Sequence, residues 1–144
     1  DQPLALPYRV PVADGEISCL VARPGRGRRQ LLLLGDSRGS ISIWDVVTKP
    51  PALDGHFHAV ASLSKEDLGI SSVQAACWAP SGSSIAVGGE ISGPGAKASK
   101  VSAWTLHGSE NAGSVYQLCK HVELKKDWTL REHGLSFCGR DLSL

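Results

Sequence analysis

The chain lacks methionine, has few aromatic residues and contains no long apolar run. With Met 0, not even an initiator methionine is present, which predicts that the 144 residues are a segment of a longer polypeptide. Every apolar run is shorter than the ~18 residues that a membrane-spanning helix needs, so no membrane insertion is expected. Lysine and arginine number 15 against 14 acidic residues, which excludes a strong overall attraction to nucleic acid or to anionic membranes.

Cysteine is present, but without a CxxC pair or any short spacing of the kind that metal sites use. The four residues are Cys19, Cys77, Cys119 and Cys138. Each lies in or beside an apolar stretch, where a free thiol behaves as a small hydrophobic side chain. The sequence therefore favours free thiols and a reducing, intracellular setting, with a disulfide or a metal site as the alternative.

Glycine and proline, by contrast, are abundant and spread along the whole chain. Gly 16 and Pro 8 separate short apolar runs, which argues against a helical bundle and for many short elements joined by turns. Hydrophobic residues at 42% and charged residues at 20% allow a buried core, so wholesale disorder is not expected.

Short runs with alternating or continuous apolar residues predict strands, and they occur twice in the same order. The first set covers residues 16–22, 31–34, 40–45 and 57–63, and the second covers residues 72–78, 84–89, 100–105 and 114–123. Residues 65–68 predict one helical turn at most. The sequence therefore predicts an all-β fold that contains an internal repeat of a four-stranded unit.

Matching positions in the two sets lie 58 residues apart for Cys19 and Cys77, 53 apart for Gly35 and Gly88, and 60 apart for Trp44 and Trp104. The predicted units are residues 14–66 and 67–125. Residues 1–13 are interpreted as the last strand of a preceding unit and residues 126–144 as the start of a further one. Because such sheets close only by stacking about four to eight of them radially, the chain is expected to need the rest of its own propeller.

Two segments carry a resemblance to a known family. Residues 34–45 combine a glycine-rich turn, an alternating strand and a closing Trp44-Asp45, and residues 73–87 contain a strand, a Pro-x-Gly turn around Pro80 and a second strand. Both segments resemble WD40 repeats, which implies a divergent β-propeller. Arg38 stands where the family usually has aspartate, and Thr105 stands where the Trp-Asp pair would end.

The resemblance implies a non-catalytic scaffold that presents propeller surfaces to protein partners in a larger complex. An alternative is an accessory or targeting propeller of a larger enzyme. Trp44, Trp78 and Trp104 occupy repeat positions at strand ends, where packing between neighbouring blades is their expected role. No catalytic, cofactor or metal site is predicted, and the expected location is intracellular, in the cytoplasm or nucleus.

Residues 35–39 spell G-x-S-x-G, the pattern of a serine hydrolase nucleophile elbow centred on Ser37. That elbow must lead from a strand into a helix. The residues that follow alternate with a period of two, which favours a hairpin turn instead. A hydrolase centred on Ser37 is the less favoured reading.

Two further patterns have weak chemical interpretations. His56 and His58 lie on one face of a predicted strand and could chelate a metal, but no third ligand lies at a telling spacing. Residues 88–97 are glycine-rich and contain Lys97, but they lack the Gly-Lys-Ser/Thr ending of a P-loop. His56 and His58 are interpreted instead as surface histidines, and residues 88–97 as a long flexible loop.

Four arginines within seven residues form the candidate partner-binding site. Arg23, Arg26, Arg28 and Arg29 lie in a turn that contains no acidic residue, so the patch is expected to project from one propeller face. Acidic protein surface is the expected partner. RNA phosphate is the alternative, although no aromatic side chains interleave to stack bases.

Overall fold

The structure is a computed structural model that describes residues 16–25, 29–45, 59–91, 98–110, 114–126, 136–138 and 141–143. Within these ranges nearly all regular structure is strand, which confirms the predicted all-β class. The elements in chain order are β1 (Ile17–Ala22), β2 (Leu31–Asp36), β3 (Ile41–Asp45), β4 (Ala59–Leu63), α1 (Lys65–Leu68), β5 (Ser72–Trp78), β6 (Ser84–Glu90), β7 (Ser99–His107), β8 (Gln117–Lys126), β9 (Ser136–Cys138) and β10 (Asp141–Ser143).

The strands form two four-stranded antiparallel sheets and one strand pair. The first sheet has the order β1-β2-β3-β4 and the second has the order β5-β6-β7-β8, so each is a simple meander. β9 and β10 pair antiparallel, within the residues interpreted as the start of a further unit. Residues 1–13, interpreted as the last strand of a preceding unit, lie outside the described residues.

The pairing register shows which positions of the two sheets correspond. Leu32 pairs with Trp44 and Ile85 pairs with Trp104, so the predicted offsets of 53 and 60 residues hold for the second and third strands. The predicted offset of 58 residues for the first strand, from Cys19 to Cys77, is wrong.

Cys19 pairs with Gly35 and Ala75 pairs with Gly88, so Ala75 is the equivalent of Cys19 and Cys77 is not. A slip of two residues keeps every side chain on the same face of a strand, which is why alternation in the sequence could not detect it.

The two sheets also share their irregularities. The first strand of each sheet has a register shift, at Ser18 in β1 and at Gln74 in β5. The last strand of each sheet has another, at Val60 in β4 and at His121 in β8. Bulges change the local twist of a strand and are designed features, so their recurrence at equivalent places supports a structural repeat.

The two sheets pack face to face through one apolar core. β5 contacts both β1 and β2, and the core includes Leu33 and Ile43 at 0% exposure. Burial of each such side chain stabilises the fold by roughly 1.5–3 kcal/mol. Ala75, Ala86 and Val101 form a second cluster on the opposite face of the second sheet, and β9 contacts β5. The second sheet therefore buries apolar side chains on both of its faces.

A short helix connects the two sheets. Ser64 caps α1: its hydroxyl accepts a hydrogen bond from the Asp67 N–H, and the Asp67 carboxylate accepts one from the Ser64 N–H. Gly69 ends the helix in the left-handed conformation, with φ 68°, and Leu68 is buried. The sequence prediction of one helical turn at residues 65–68 is confirmed.

Changing Ser64 to alanine is expected to destabilise the protein by about 1 kcal/mol, because the reciprocal cap is lost. The hydrogen bonds from the Ser64 backbone and side chain lower the pKa of Asp67. A lowered pKa in the folded state adds stability above the ordinary carboxyl pKa, and this stability is lost as the pH falls. The Asp67 pKa, followed by NMR, should move part of the way up in S64A. An unchanged pKa would contradict the hydrogen bond that the Ser64 hydroxyl donates to the Asp67 carboxylate.

Candidate functional site

The segment containing Ser37 is a hairpin turn between β2 and β3. The Asp36 carboxylate accepts hydrogen bonds from the Arg38 and Ser40 N–H groups at 2.9 and 3.0 Å, and Gly39 has φ 91°. The Ser37 hydroxyl accepts a hydrogen bond from the Glu16 N–H at 3.0 Å. An antiparallel strand follows the turn instead of a helix, so the hairpin prediction is confirmed and the interpretation as a nucleophile elbow is wrong.

The described residues contain no group of three or more histidine, cysteine or acidic side chains that could hold a metal ion. His56, His58 and Lys97 lie outside the described residues, so the readings of those motifs stay predictions. Cys77 and Cys119 are free thiols, and Cys19 forms no disulfide.

Cys77 and Cys119 are expected to react very differently with iodoacetamide. Burial raises the pKa of the Cys77 thiol to about 11, against a weaker opposing effect of its hydrogen bond with the Ala86 backbone. At pH 8 only about one thousandth of such a thiol is the reactive thiolate, whereas Cys119 is exposed to reagent. Peptide mass spectrometry should find Cys119 modified first, and Cys77 modified faster as the pH rises. Equal modification rates of Cys77 and Cys119 at pH 8 in the folded protein would contradict the burial and the raised pKa of Cys77.

The three tryptophans of the repeat positions are buried, but only two of them lie between the sheets. Trp78 packs in the shared core and donates its indole N–H to the Val21 carbonyl oxygen at 2.9 Å. Trp104 packs in the same core, so both residues lie between the two sheets. Trp44 is outside that core.

The indoles of Trp44 and Trp104 make matching hydrogen bonds within their own strands. Each donates to the serine hydroxyl two residues earlier, Ser42 in β3 and Ser102 in β7, at 2.8 Å in both cases. This pair of contacts is a further sign of the repeat. Asp45, which follows Trp44, binds an arginine.

Arg23 crosses from the first sheet to the second. Its Nε donates to the Gly82 carbonyl oxygen at 3.0 Å, and its two terminal nitrogens hold both oxygens of Glu110 at 3.0 and 2.8 Å. The guanidinium also lies 5.9 Å from the centre of the Trp78 ring. Burial works to lower the pKa of Arg23, but Glu110 and Tyr116 outweigh it, so the pKa is raised and the charge is retained.

Arg29 makes a second crossing beside the first. Its Nε donates to Asp45 at 2.9 Å, and Nη1 donates to the carbonyl oxygens of Ser109 and Ser114 at 3.2 and 3.0 Å. The guanidinium stands 5.2 Å from the centre of the Tyr116 ring. One side chain therefore joins the end of β3 to both legs of the β7–β8 loop.

The expectation that these arginines project into solvent is wrong for Arg23 and Arg29, which are only 6% and 4% exposed. Their acceptors on the β7–β8 loop lie 80 to 87 residues away, so no local pattern in the sequence could pair them. Arg26 and Arg28 lie outside the described residues. A partner-binding role for the four arginines stays a prediction.

The arginine contacts bring three loops to one end of the two sheets, and we call this end the rim. The rim comprises Arg23, Arg29, the β5–β6 turn at residues 79–83, and the legs of the β7–β8 loop at residues 108–110 and 114–116. Val115 on the second leg is 70% exposed, more than any other large apolar side chain of the described residues. Sequence analysis did not single out Glu110, Val115 or Tyr116, because none of them belongs to a recognisable motif.

Comparison with known proteins assigns no family: no protein-family model matches the chain, and no curated protein matches it. Across the described ranges, no helix is long and apolar enough to cross a membrane.

Proposed function

We propose that the chain is part of a divergent WD40-type β-propeller that works inside the cell as a non-catalytic scaffold and binds protein partners. The observation that carries the proposal is the repeat of a four-stranded meander with the same bulges, stacked face to face. Radial stacking of such sheets is how propellers bury their faces. The WD40-like residues 34–45 and 73–87 supply the family and, with it, the scaffold role.

The rim is the surface that we assign to partner binding. Loops held by a rigid framework commonly carry binding residues. Here one loop of the second sheet is held by two buried arginines of the first, and it exposes an apolar side chain, Val115. A preordered apolar contact lowers the entropy lost on association.

The hydrolase alternative has lost its main support. Ser37 lies in an ordinary β-turn with its hydroxyl engaged by the Glu16 N–H. The RNA alternative is also weaker, because Arg23 and Arg29 are buried against carboxylates and carbonyl oxygens and do not face solvent.

The scaffold function predicts that partner capture depends on the rim and not on the opposite end of the sheets. In V115D, an exposed side chain is replaced, so the fold should survive while an apolar contact is lost. We expect co-purifying proteins, quantified by mass spectrometry at two salt concentrations, to fall at least about tenfold, a change of about 1.4 kcal/mol in binding free energy. Charge reversal of Arg26 and Arg28 tests the remaining arginines of the turn in the same way.

The matched control is R38E, an exposed residue in the β2–β3 turn at the other end of the first sheet. Circular dichroism should show intact strands in every variant. If V115D and the double arginine variant capture the same proteins as the parent chain, the rim is not the binding surface. If the chain hydrolyses an ester substrate and S37A does not, the scaffold proposal is wrong.

A further inference from the structure

The β7–β8 loop is fixed mainly by side chains that come from the other sheet. Its first leg carries Ser109 and Glu110, and its second leg carries Ser114, Val115 and Tyr116. Arg29 Nη1 donates to a carbonyl oxygen on each leg, at 3.2 and 3.0 Å, so a single nitrogen ties the two legs together. This cross-link closes the base of the loop from outside its own sheet.

A second cross-link runs parallel to the first. Arg23 binds both oxygens of Glu110 on the first leg, and the Tyr116 hydroxyl on the second leg donates to Glu110 Oε2 at 3.0 Å. The Tyr116 N–H donates to the Val60 carbonyl oxygen at 2.7 Å. Val60 is the residue at the bulge of β4 in the first sheet. The loop is thus tied to β4 and to two arginines that precede β2.

We propose that Arg23 and Arg29 are positioning residues that make the conformation of the β7–β8 loop depend on the stacking of the two sheets. The acceptors on the loop lie 80 to 87 residues away from the arginines that hold them. When the sheets separate, the loop loses both cross-links at once. The rim surface is therefore assembled only in the stacked molecule.

Arginine is suited to this task because its planar fork presents several donors in fixed directions. Arg29 uses Nε for Asp45 and Nη1 for two carbonyl oxygens simultaneously. A lysine at position 29 keeps the positive charge beside Asp45 but cannot hold the same three acceptors in that geometry. Nη2 of Arg29 is buried without a hydrogen-bond partner, so the substitution also removes one unsatisfied donor.

For binding, the consequence is that the exposed Val115 side chain is held in place for a partner. This consequence rests on the proposed function. Val115 stands between Ser114 and Tyr116, and the backbones of both neighbours are held by the first sheet. Its exposed side chain is therefore offered in one position to a protein partner with an apolar pocket.

The test is hydrogen–deuterium exchange of the whole chain in R29K and R23K, with R38K as the matched control at the opposite end of the sheets. We expect amides of the two described legs, residues 108–110 and 114–116, to exchange at least about tenfold faster in R29K, while β2 and β6 keep their protection. R23K should give a smaller change in the same residues, and R38K should give none. E110Q keeps the shape of the side chain but weakens the Arg23 contact, so it should resemble R23K.

Unchanged exchange of residues 108–110 and 114–116 in R29K and in E110Q overturns the proposal. A uniform acceleration over β2, β6 and the loop also overturns it, because that pattern indicates a general structural role. These outcomes are independent of partner capture by V115D: faster loop exchange with unchanged capture in V115D retains the positioning role and rejects the rim as the binding surface.

Discussion

Changing Gly39 to alanine is expected to lower the free energy of unfolding by about 3 kcal/mol, enough to unfold a marginal domain in part. Gly39 has φ 91°, a conformation that L-residues with a side chain rarely adopt. A Cβ at this position would also collide with the carbonyl oxygen of Ile70, a backbone atom at the entry to β5. The turn of the first sheet can approach the second sheet this closely only because residue 39 has no side chain.

Gly69 offers a matched control for the Gly39 prediction. It also has a positive φ, 68°, but a Cβ there would meet only the Lys100 side chain, with the ammonium nearest at 2.6 Å, and a flexible lysine can move away. We expect G69A to cost about 1 kcal/mol, mostly from the left-handed backbone. Urea unfolding measures both variants. Equal losses in G39A and G69A would mean that contact with the Ile70 carbonyl contributes little.

Changing Arg29 to methionine is expected to destabilise the protein by about 3–5 kcal/mol, because it removes one member of a buried ion pair. The side chains of Arg29 and Asp45 are only 2% and 12% exposed. The variant also loses the two hydrogen bonds to the Ser109 and Ser114 carbonyl oxygens. These hydrogen bonds join the two sheets, so their loss weakens the packing of one sheet on the other. The variant should show a lower melting temperature.

A double variant separates the charge effect from the loss of the loop contacts. Combining R29M with D45N removes the buried carboxylate charge together with its cationic partner. We expect the double variant to be less destabilised than the sum of the two single variants, since residues in direct contact are not additive. Additive losses in urea unfolding would contradict direct pairing of Arg29 with Asp45.

Much of the fold follows from local patterns in the sequence. The alternation in β1 and β3, and the apolar run of β2, are strand patterns that depend only on residues near one another. The Asp36–Gly39 turn follows from the turn preferences of its own residues. The helical turn of α1 needs only the Ser64 cap and Gly69, so the sequence was sufficient for it.

The candidate site was only partly predictable, and the arginine turn shows why. The clustering of Arg23 and Arg29 is a property of the sequence, and it is the reason that this turn was predicted as a site. The burial of their side chains depends on Glu110 and on the carbonyl oxygens of the β7–β8 loop, at least 80 residues away. Charge patterning carries no information on such distant partners, so the turn appeared to be solvent-exposed.

The sequence by itself determined that this chain is all-β, that its strands occur in two sets of four, and where the main turns fall. These features depend on side-chain alternation and on glycine and proline, which act over a few residues. Only the tertiary structure decided the two-residue shift in the register of β5 and the face on which each tryptophan lies. It also decided that Arg23 and Arg29 are buried and connect the two sheets. A shift of two residues leaves the alternation unchanged, and the contacts of Arg23 and Arg29 with the β7–β8 loop join segments at least 80 residues apart, so neither is encoded in any local pattern.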